Sequence, residues 1–330
     1  MQSAAEFENF RIATQPSERQ RKVTTDEHTR LRERLASDPT LKRVLLSTFI
    51  QGSHRRASAI RGSTAHPCDV DIVAVTNLPR SKTTARHAHD LFRPFLEAHY
   101  NGRYSQKDRS WCITVDAEVT LDLVPTTGPE SPQLARAMLA RSIHDWSASD
   151  DPESIAMGDT KDMDWNRAEP IWIPDRRLET WEKTHPLLLI DWTAAKQAHC
   201  NGRFTHTVRA VKWWKRHVEP NPKYPRGYPL EHLVAECCPN DIKTVADGLT
   251  VTLETVASRF RDEAARRATP FLAARGVPEV NVMRRVEGAD FAAFHACVVR
   301  AAALARRALN SPDDAESKRL WSTLLGDTFR

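Results

Sequence analysis

The 330-residue chain lacks the features that would place it at once among secreted, membrane or zinc-ribbon proteins. Its opening stretch, MQSAAEFENFRIATQPSERQRK, has no apolar run of the about 7–15 residues that a secretory leader needs. Charges interrupt the other apolar stretches before the about 20 residues that span a bilayer, so a cytosolic chain outside the membrane is expected. The six cysteines (Cys68, Cys112, Cys200, Cys237, Cys238 and Cys297) form no CxxC pair and no regular framework. That excludes a zinc ribbon or a disulfide scaffold and predicts reduced, mostly buried thiols. None of the thirteen histidines forms an HxxxH-type ligand pair beside acids, so most are expected on the surface or satisfied in the core, with His54 and His206 the two to watch. There is no internal repeat and no low-complexity run.

What is present describes an ordinary globular chain. Hydrophobic residues make up 40% and charged residues 28% of it. At about 100–200 residues per domain, the length suits two domains or one bilobal unit. The net charge of +5, from 48 basic and 43 acidic residues, suits a polyanionic ligand without requiring one.

Apolar spacing predicts two amphipathic helices before residue 47, punctuated by Pro16 and by Asp38-Pro39. A strand is expected in DVDIVAVT, with Val70, Ile72 and Ala74 on one face and Asp69, Asp71 and Val73 on the other. A helix over about 83–100 follows, with Pro94 as a kink. CITVDAEVTLDLVPTT alternates so regularly that it reads as one further strand, with Asp116, Glu118, Thr120 and Asp122 on an acidic face. The Pro-, Ser-, Asp- and Gly-rich stretch 126–175 holds the lobe boundary, giving lobes 1–165 and 166–330. Beyond Leu178 the pattern turns helical, with helices near 186–200, 205–218, 229–238, 242–266, 290–309 and 314–325. Trp181, Trp192 and Trp321 read as core packing.

Chemistry concentrates in the order Gly52-Ser53, Asp69-Val70-Asp71, Asp122. Carboxylates at i and i+2 leave a strand on one face, and a third on a neighbouring strand can close on the same point. Three acids without a basic partner repel one another, so such a cluster calls for cations, and hard oxygen ligands favour magnesium or manganese. Glycine lets backbone approach phosphate oxygens, which the amides and the serine hydroxyl can then bind. Each part alone has a bland reading: Asp69 and Asp71 as solvated strand residues, Gly52-Ser53 as a turn. Gly62-Ser63 sits too close to Asp69 to leave room for a returning helix and is taken as a turn. Glu118 is a candidate neighbour of the site or base contact. Farther on, Arg209, Lys212, Lys215 and Arg216 form a basic stripe on a helix whose other side carries Val211, Trp214 and Val218; phosphate binding and a solvated basic face both fit it.

At QGSHRRASAI, DVDIVAVT, LDLVPTT, VRAVKWWKRH and PRGYPLEHLVAE the chain resembles the polymerase-beta-like nucleotidyltransferases, and more closely the bacterial CD-NTases, relatives of cyclic GMP-AMP synthase and 2′-5′ oligoadenylate synthetase. The ending WSTLLGDTFR also looks like the closing segment of some members. The resemblance implies an α+β fold: a polymerase-beta-like core with a mixed β-sheet and flanking helices, plus an α-helical C-terminal lobe. It implies that Gln51, Gly52 and Ser53 hold a triphosphate and that Asp69, Asp71 and Asp122 hold two Mg2+ ions, with Mn2+ as a substitute. Lys212, with Lys215 beside it, falls where a lysine reaches the phosphates, and Tyr228 where an aromatic ring lies against the donor base. The chain departs from the common pattern at Gly227, where members often carry serine, and at His54, where they often carry tyrosine. The implied partners are ATP and possible co-substrates GTP, CTP or UTP, and a downstream effector that senses a cyclic di- or trinucleotide in antiphage (CBASS) signalling; direct nucleic-acid binding stays open. Two rivals remain: a template-independent transferase acting on RNA, protein or a small molecule, and an inactive module that binds nucleotide or RNA.

Overall fold

A computed structural model describes residues 4–128, 170–218 and 220–330. The expected lobe boundary near residue 165 therefore lies outside the described residues. The two N-terminal helices form as the spacing predicts: α1 (Ala4–Thr14) and α2 (Glu18–Ser37), separated by Pro16. Ser17 starts α2 with a capping box, its hydroxyl accepting from Gln20 N–H while the Gln20 side chain returns to the Ser17 amide. The chain then enters β1 (Leu45–Gln51), turns through the single-turn helix α3 (Gly52–Arg55), and returns along β2 (Cys68–Thr76). The helix expected over 83–100 is two, α4 (Ala85–Asp90) and α5 (Arg93–Tyr100), because Pro94 lacks an amide hydrogen and begins a new helix more easily than it continues one.

The acidic segment differs from expectation. Instead of one strand over 112–127 there are β4 (Trp111–Thr114) and β5 (Val119–Thr127), antiparallel and reversed at Asp116–Glu118; β3 (Tyr104–Gln106) pairs with β4 from the other side. After the undescribed stretch, β6 (Ile171–Asp175) and β7 (Thr180–Thr184) extend the same sheet, so β-structure persists past Leu178. The main path of the sheet is β1-β2-β5-β4-β3, with β2 and β5 parallel and the other pairs antiparallel. One face carries Val70, Ile72, Leu121 and Leu123 and is covered by Leu31 and Leu35 of α2 and by Phe95 and Leu96 of α5. The other face buries Phe49, Val73 and Val75 against Ile171 and against Leu187 and Ile190 of α6 (Pro186–His199).

The remaining helices are α7 (Phe204–His217), α8 (Tyr228–Cys237), α9 (Val245–Arg259), the short α10 (Arg261–Ala265), α11 (Gly288–Asn310) and α12 (Asp314–Leu325), with a small hairpin of β8 (Ala273–Ala274) and β9 (Val277–Asn281). They share one core, and α1 joins it rather than the sheet. Phe7 meets Trp321 edge-on at 5.0 Å and Phe329 at 4.9 Å. Contrary to the sequence-based expectation, α11 is long and apolar enough to cross a membrane by length and composition. Its apolar side, with Phe291, Phe294, Val298 and Ala305, is buried in this core. Trp321 is a core residue as expected, whereas Trp181 and Trp192 are half-buried. All six cysteines are free, and every one except Cys112 is buried.

Candidate active site

Strand register assembles the acidic face. Gln51 lies opposite Asp71, Asp71 opposite Asp122, and Cys112 opposite Asp122, forming one row across four strands, while Asp69 lies one step back beside Thr120. Residues opposed in a ladder share a face, so the DxD pair and Asp122 rise on the same side. Farther along β2 that side is closed by apolar packing through Val73 and Val75; at Asp71 and Asp69 it is not.

The glycine-serine turn is pressed against this row. Gly52 has φ +77°, and a Cβ added there would collide with the Asp71 carboxylate. Glycine is thus required twice, for the left-handed backbone and for the space. No side chain caps the start of α3, so no capping side chain competes for its first amides. Gly62 belongs to the expected turn, in which Ser63 and His66 exchange backbone hydrogen bonds of 2.9 and 3.1 Å.

Burial pushes the Asp71 carboxyl well above its ordinary value, and the charges of Asp69 and Asp122 add to the shift. Asp122 is also raised, chiefly by burial, although Lys107 pulls the other way. Lys107, unforeseen in the sequence, donates to both Asp122 oxygens at 2.8 and 2.7 Å. Burial alone would lower the Lys107 ammonium, but Asp122 outweighs it and leaves the group above its usual value. The acids therefore do have a basic partner. Among the described residues no three acidic, histidine or cysteine side chains stand gathered as ready metal ligands. The donor set still fits a hard divalent cation: carboxylates on one face, two of them raised chiefly by burial, and a glycine cradle that a side chain would fill.

Asp116 and Glu118 do not share the face of Asp122. The turn carries them to the rim, where Arg19 pairs with them at 2.6 and 3.2 Å and the Gln20 amide donates to Glu118 at 3.1 Å. Glu118 is accordingly a structural anchor for α2 rather than a base contact.

The basic stripe on α7 is divided. Lys212 reaches the segment after α3, donating to Ser58 O at 3.0 Å and pairing with Glu231 of α8. Lys215 is buried in another direction, donating to Asn221 and to Lys223 O at 3.3 and 3.4 Å, and burial holds its ammonium below the usual value. Arg56, just after α3, completes the link: its guanidinium donates to Glu231 at 3.0 and 2.8 Å and lies 5.7 Å from the centre of the Tyr228 ring. Burial would raise the Glu231 carboxyl, but Arg56 and Lys212 prevail and hold it at about 2. Tyr228 starts α8 beside exposed Gly227, and its hydroxyl lies 3.2 Å from His232 Nδ1. His54 is held neutral, pulled down to about 4 by burial, with its Nε2 3.6 Å from Cys68 Sγ. His206 is likewise pulled down to about 4, by burial first.

Residues 1–157 match the Second Messenger Oligonucleotide or Dinucleotide Synthetase domain. The chain is 36% identical to the cyclic AMP-AMP-GMP synthase of Enterobacter hormaechei subsp. hoffmannii, over 100% of this chain and 92% of that protein. The chain belongs to the bacterial CD-NTases. It is also 29% identical to the cyclic AMP-AMP-AMP synthase of an Acinetobacter species, over 92% of this chain and 78% of that one. The fold extends to the CD-NTase CdnG of Bradyrhizobium diazoefficiens, solved with GTP: the TM-score is 0.72 at 12% identity, over 98% of this chain and 94% of that one. As a CD-NTase the chain is a nucleotidyltransferase that makes cyclic oligonucleotides, and its family membership implies the use of divalent metal. Its core is the polymerase-beta-like sheet expected from the sequence.

Proposed function

We propose that this CD-NTase joins ATP and GTP into a cyclic trinucleotide, cyclic AMP-AMP-GMP, using Mg2+ held by Asp69, Asp71 and Asp122. The observation that carries the proposal is the in-register row of Asp71 and Asp122 with the glycine turn pressed against it. The base composition follows the activity of the Enterobacter relative, a cyclic AMP-AMP-GMP synthase that matches along the whole chain.

Divalent ions, when bound, would supply the charge that activates a ribose hydroxyl and steadies departing pyrophosphate. The chain's own residues do the positioning. Gln51, Gly52 and Ser53 present backbone and hydroxyl donors to the triphosphate, and the φ +77° turn keeps that backbone close to the carboxylates. Lys212 brings positive charge from α7 to the segment that follows the glycine-serine turn, with Lys215 serving the fold of the 221–223 loop. The Tyr228 ring, set by Arg56 and His232, offers a stacking surface for a base. Each bond formed joins a ribose oxygen to an α-phosphorus and releases pyrophosphate, so three such steps close the ring. The catalytic lobe takes in the sheet as far as β7, and the helices after it form the lobe that completes the pocket. The enzyme works in the cytoplasm, and its product activates an effector in antiphage defence.

The test is incubation of the purified chain with radiolabelled ATP, GTP, CTP and UTP in Mg2+, with and without added RNA, followed by phosphatase treatment and mass spectrometry. The expected product is a phosphatase-resistant species with the mass of cyclic AMP-AMP-GMP, absent when EDTA is added. A folded D69N/D71N double variant should fall to background. Label left on RNA or protein, with no small resistant product, would overturn the assignment.

A further inference from the structure

The acidic row contains a cation of its own. Lys107, on the loop between β3 and β4, gives its ammonium to both oxygens of Asp122 at 2.8 and 2.7 Å, and Ser110 Oγ lies 3.5 Å from the same carboxylate. Among the described residues Asp69 and Asp71 make no ion pair, so the third carboxylate alone is capped.

The surroundings make this contact exchangeable. The loop backbone is fixed, with Lys107 N–H donating to Ser110 O at 2.9 Å, Asp108 paired with Arg177 at 3.2 Å and Arg109 with Glu182 at 3.0 Å. The lysine side chain, by contrast, is 48% exposed, so the ammonium can leave Asp122 by rotation of its own stem while the loop stays in place. A lone divalent ion approaching Asp122 meets a positive charge already there and offers that charge nowhere better to go. A divalent ion bound to a triphosphate brings a cation for the carboxylate and anionic oxygens for the ammonium together.

We propose that Lys107 is a place-holding cation, which neutralises Asp122 in the nucleotide-free enzyme and yields it to a divalent ion only when that ion arrives with a triphosphate. This rests on the metal-dependent reading above and assigns Lys107 as a positioning residue that sets the order of loading.

Mn2+ binding followed by electron paramagnetic resonance tests this without turnover, using the full chain with and without the non-reacting α,β-methylene analogue of ATP. The unsubstituted chain should bind Mn2+ weakly alone and tightly with the analogue. Lys107→Met should bind Mn2+ alone about tenfold more tightly, with a correspondingly smaller gain from the analogue. Lys107→Arg, which keeps the charge, should behave as the unsubstituted chain. Lys107→Gln gives the same reading as Lys107→Met should the latter not fold. Unchanged affinity for Mn2+ alone in folded Lys107→Met or Lys107→Gln overturns the proposal. No Mn2+ binding by any form, even with the analogue, overturns the metal-dependent reading itself and the role of Lys107 with it.

Discussion

A methyl group at Gly52 would meet the Asp71 carboxylate head-on, on a backbone whose φ of +77° side chains rarely adopt. The Gly52→Ala variant must move either the glycine-serine turn or a carboxylate, and a misplacement of about 1 Å at such a site costs on the order of 10²-fold in rate. Gly227 makes the contrasting case. Its φ is +57°, but nothing lies within 4 Å of an added Cβ, so Gly227→Ala should carry only backbone strain of about 1–3 kcal/mol. Steady-state rates beside thermal melts check both: Gly52→Ala should lose activity out of proportion to stability, and Gly227→Ala should not. Equal activity losses in the two variants would show that the collision with Asp71 does not matter.

Elements, and the pairs that tie them, decide how α3, α7 and α8 meet. Glu231 holds its negative charge more readily in the folded state, at about 2, than at its ordinary 4.5. Its bonds to Arg56 and Lys212 therefore stabilise the fold fully above about pH 4.5, and that contribution is lost as the pH falls towards 2. Glu231→Gln leaves two cations without their shared carboxylate and should cost about 3–5 kcal/mol at pH 7. Denaturant melts across the acid range should show the difference from the unsubstituted chain narrowing below pH 4.5; a gap independent of pH would contradict the assignment. The sequence disclosed some elements more readily than others. The DxD strand and the helices of the back half stand out because one face of each is mainly apolar. The turn at Asp116–Glu118 hides because apolar alternation runs straight through it: Ile113 and Val115 on one side of the reversal, Val119 and Leu121 on the other, keep the period of two while the chain doubles back. With the reversal missed, Lys107 could not be placed beside Asp122, and Asp116 and Glu118 were placed on the wrong face. Strand β7 went unseen for a similar reason, since TWEKT carries charges and only its pairing with IWIPD across a short turn marks it. Arg56 and Glu231 lie 175 positions apart, and no spacing rule reaches across that distance.

At the scale of the whole molecule, two clusters of charge among the described residues help fasten the sheet to the helical core. One is the Arg56, Glu231 and Lys212 link. The other joins β6 and β7 to the segment before α11: Arg285 pairs with fully buried Asp175, and Arg284 and Arg109 both pair with Glu182, at 2.5 and 3.0 Å. The second fastening also reaches the Lys107 loop, because Arg285 lies 3.6 Å from Asp108. Removing the guanidinium in Arg285→Met leaves the Asp175 carboxylate buried, with the Leu178 amide at 2.9 Å still bonded to it. One amide does not replace a full positive charge in that setting, so the variant should lose about 3–5 kcal/mol of stability. Arg86→Met, which breaks a pair between two exposed side chains, Arg86 and Glu179, should lose less than about 1 kcal/mol. Parallel urea melts of the two variants measure the contrast. Losses of similar size would mean that the buried pair does no more to hold the two cores together than an ion pair on the surface.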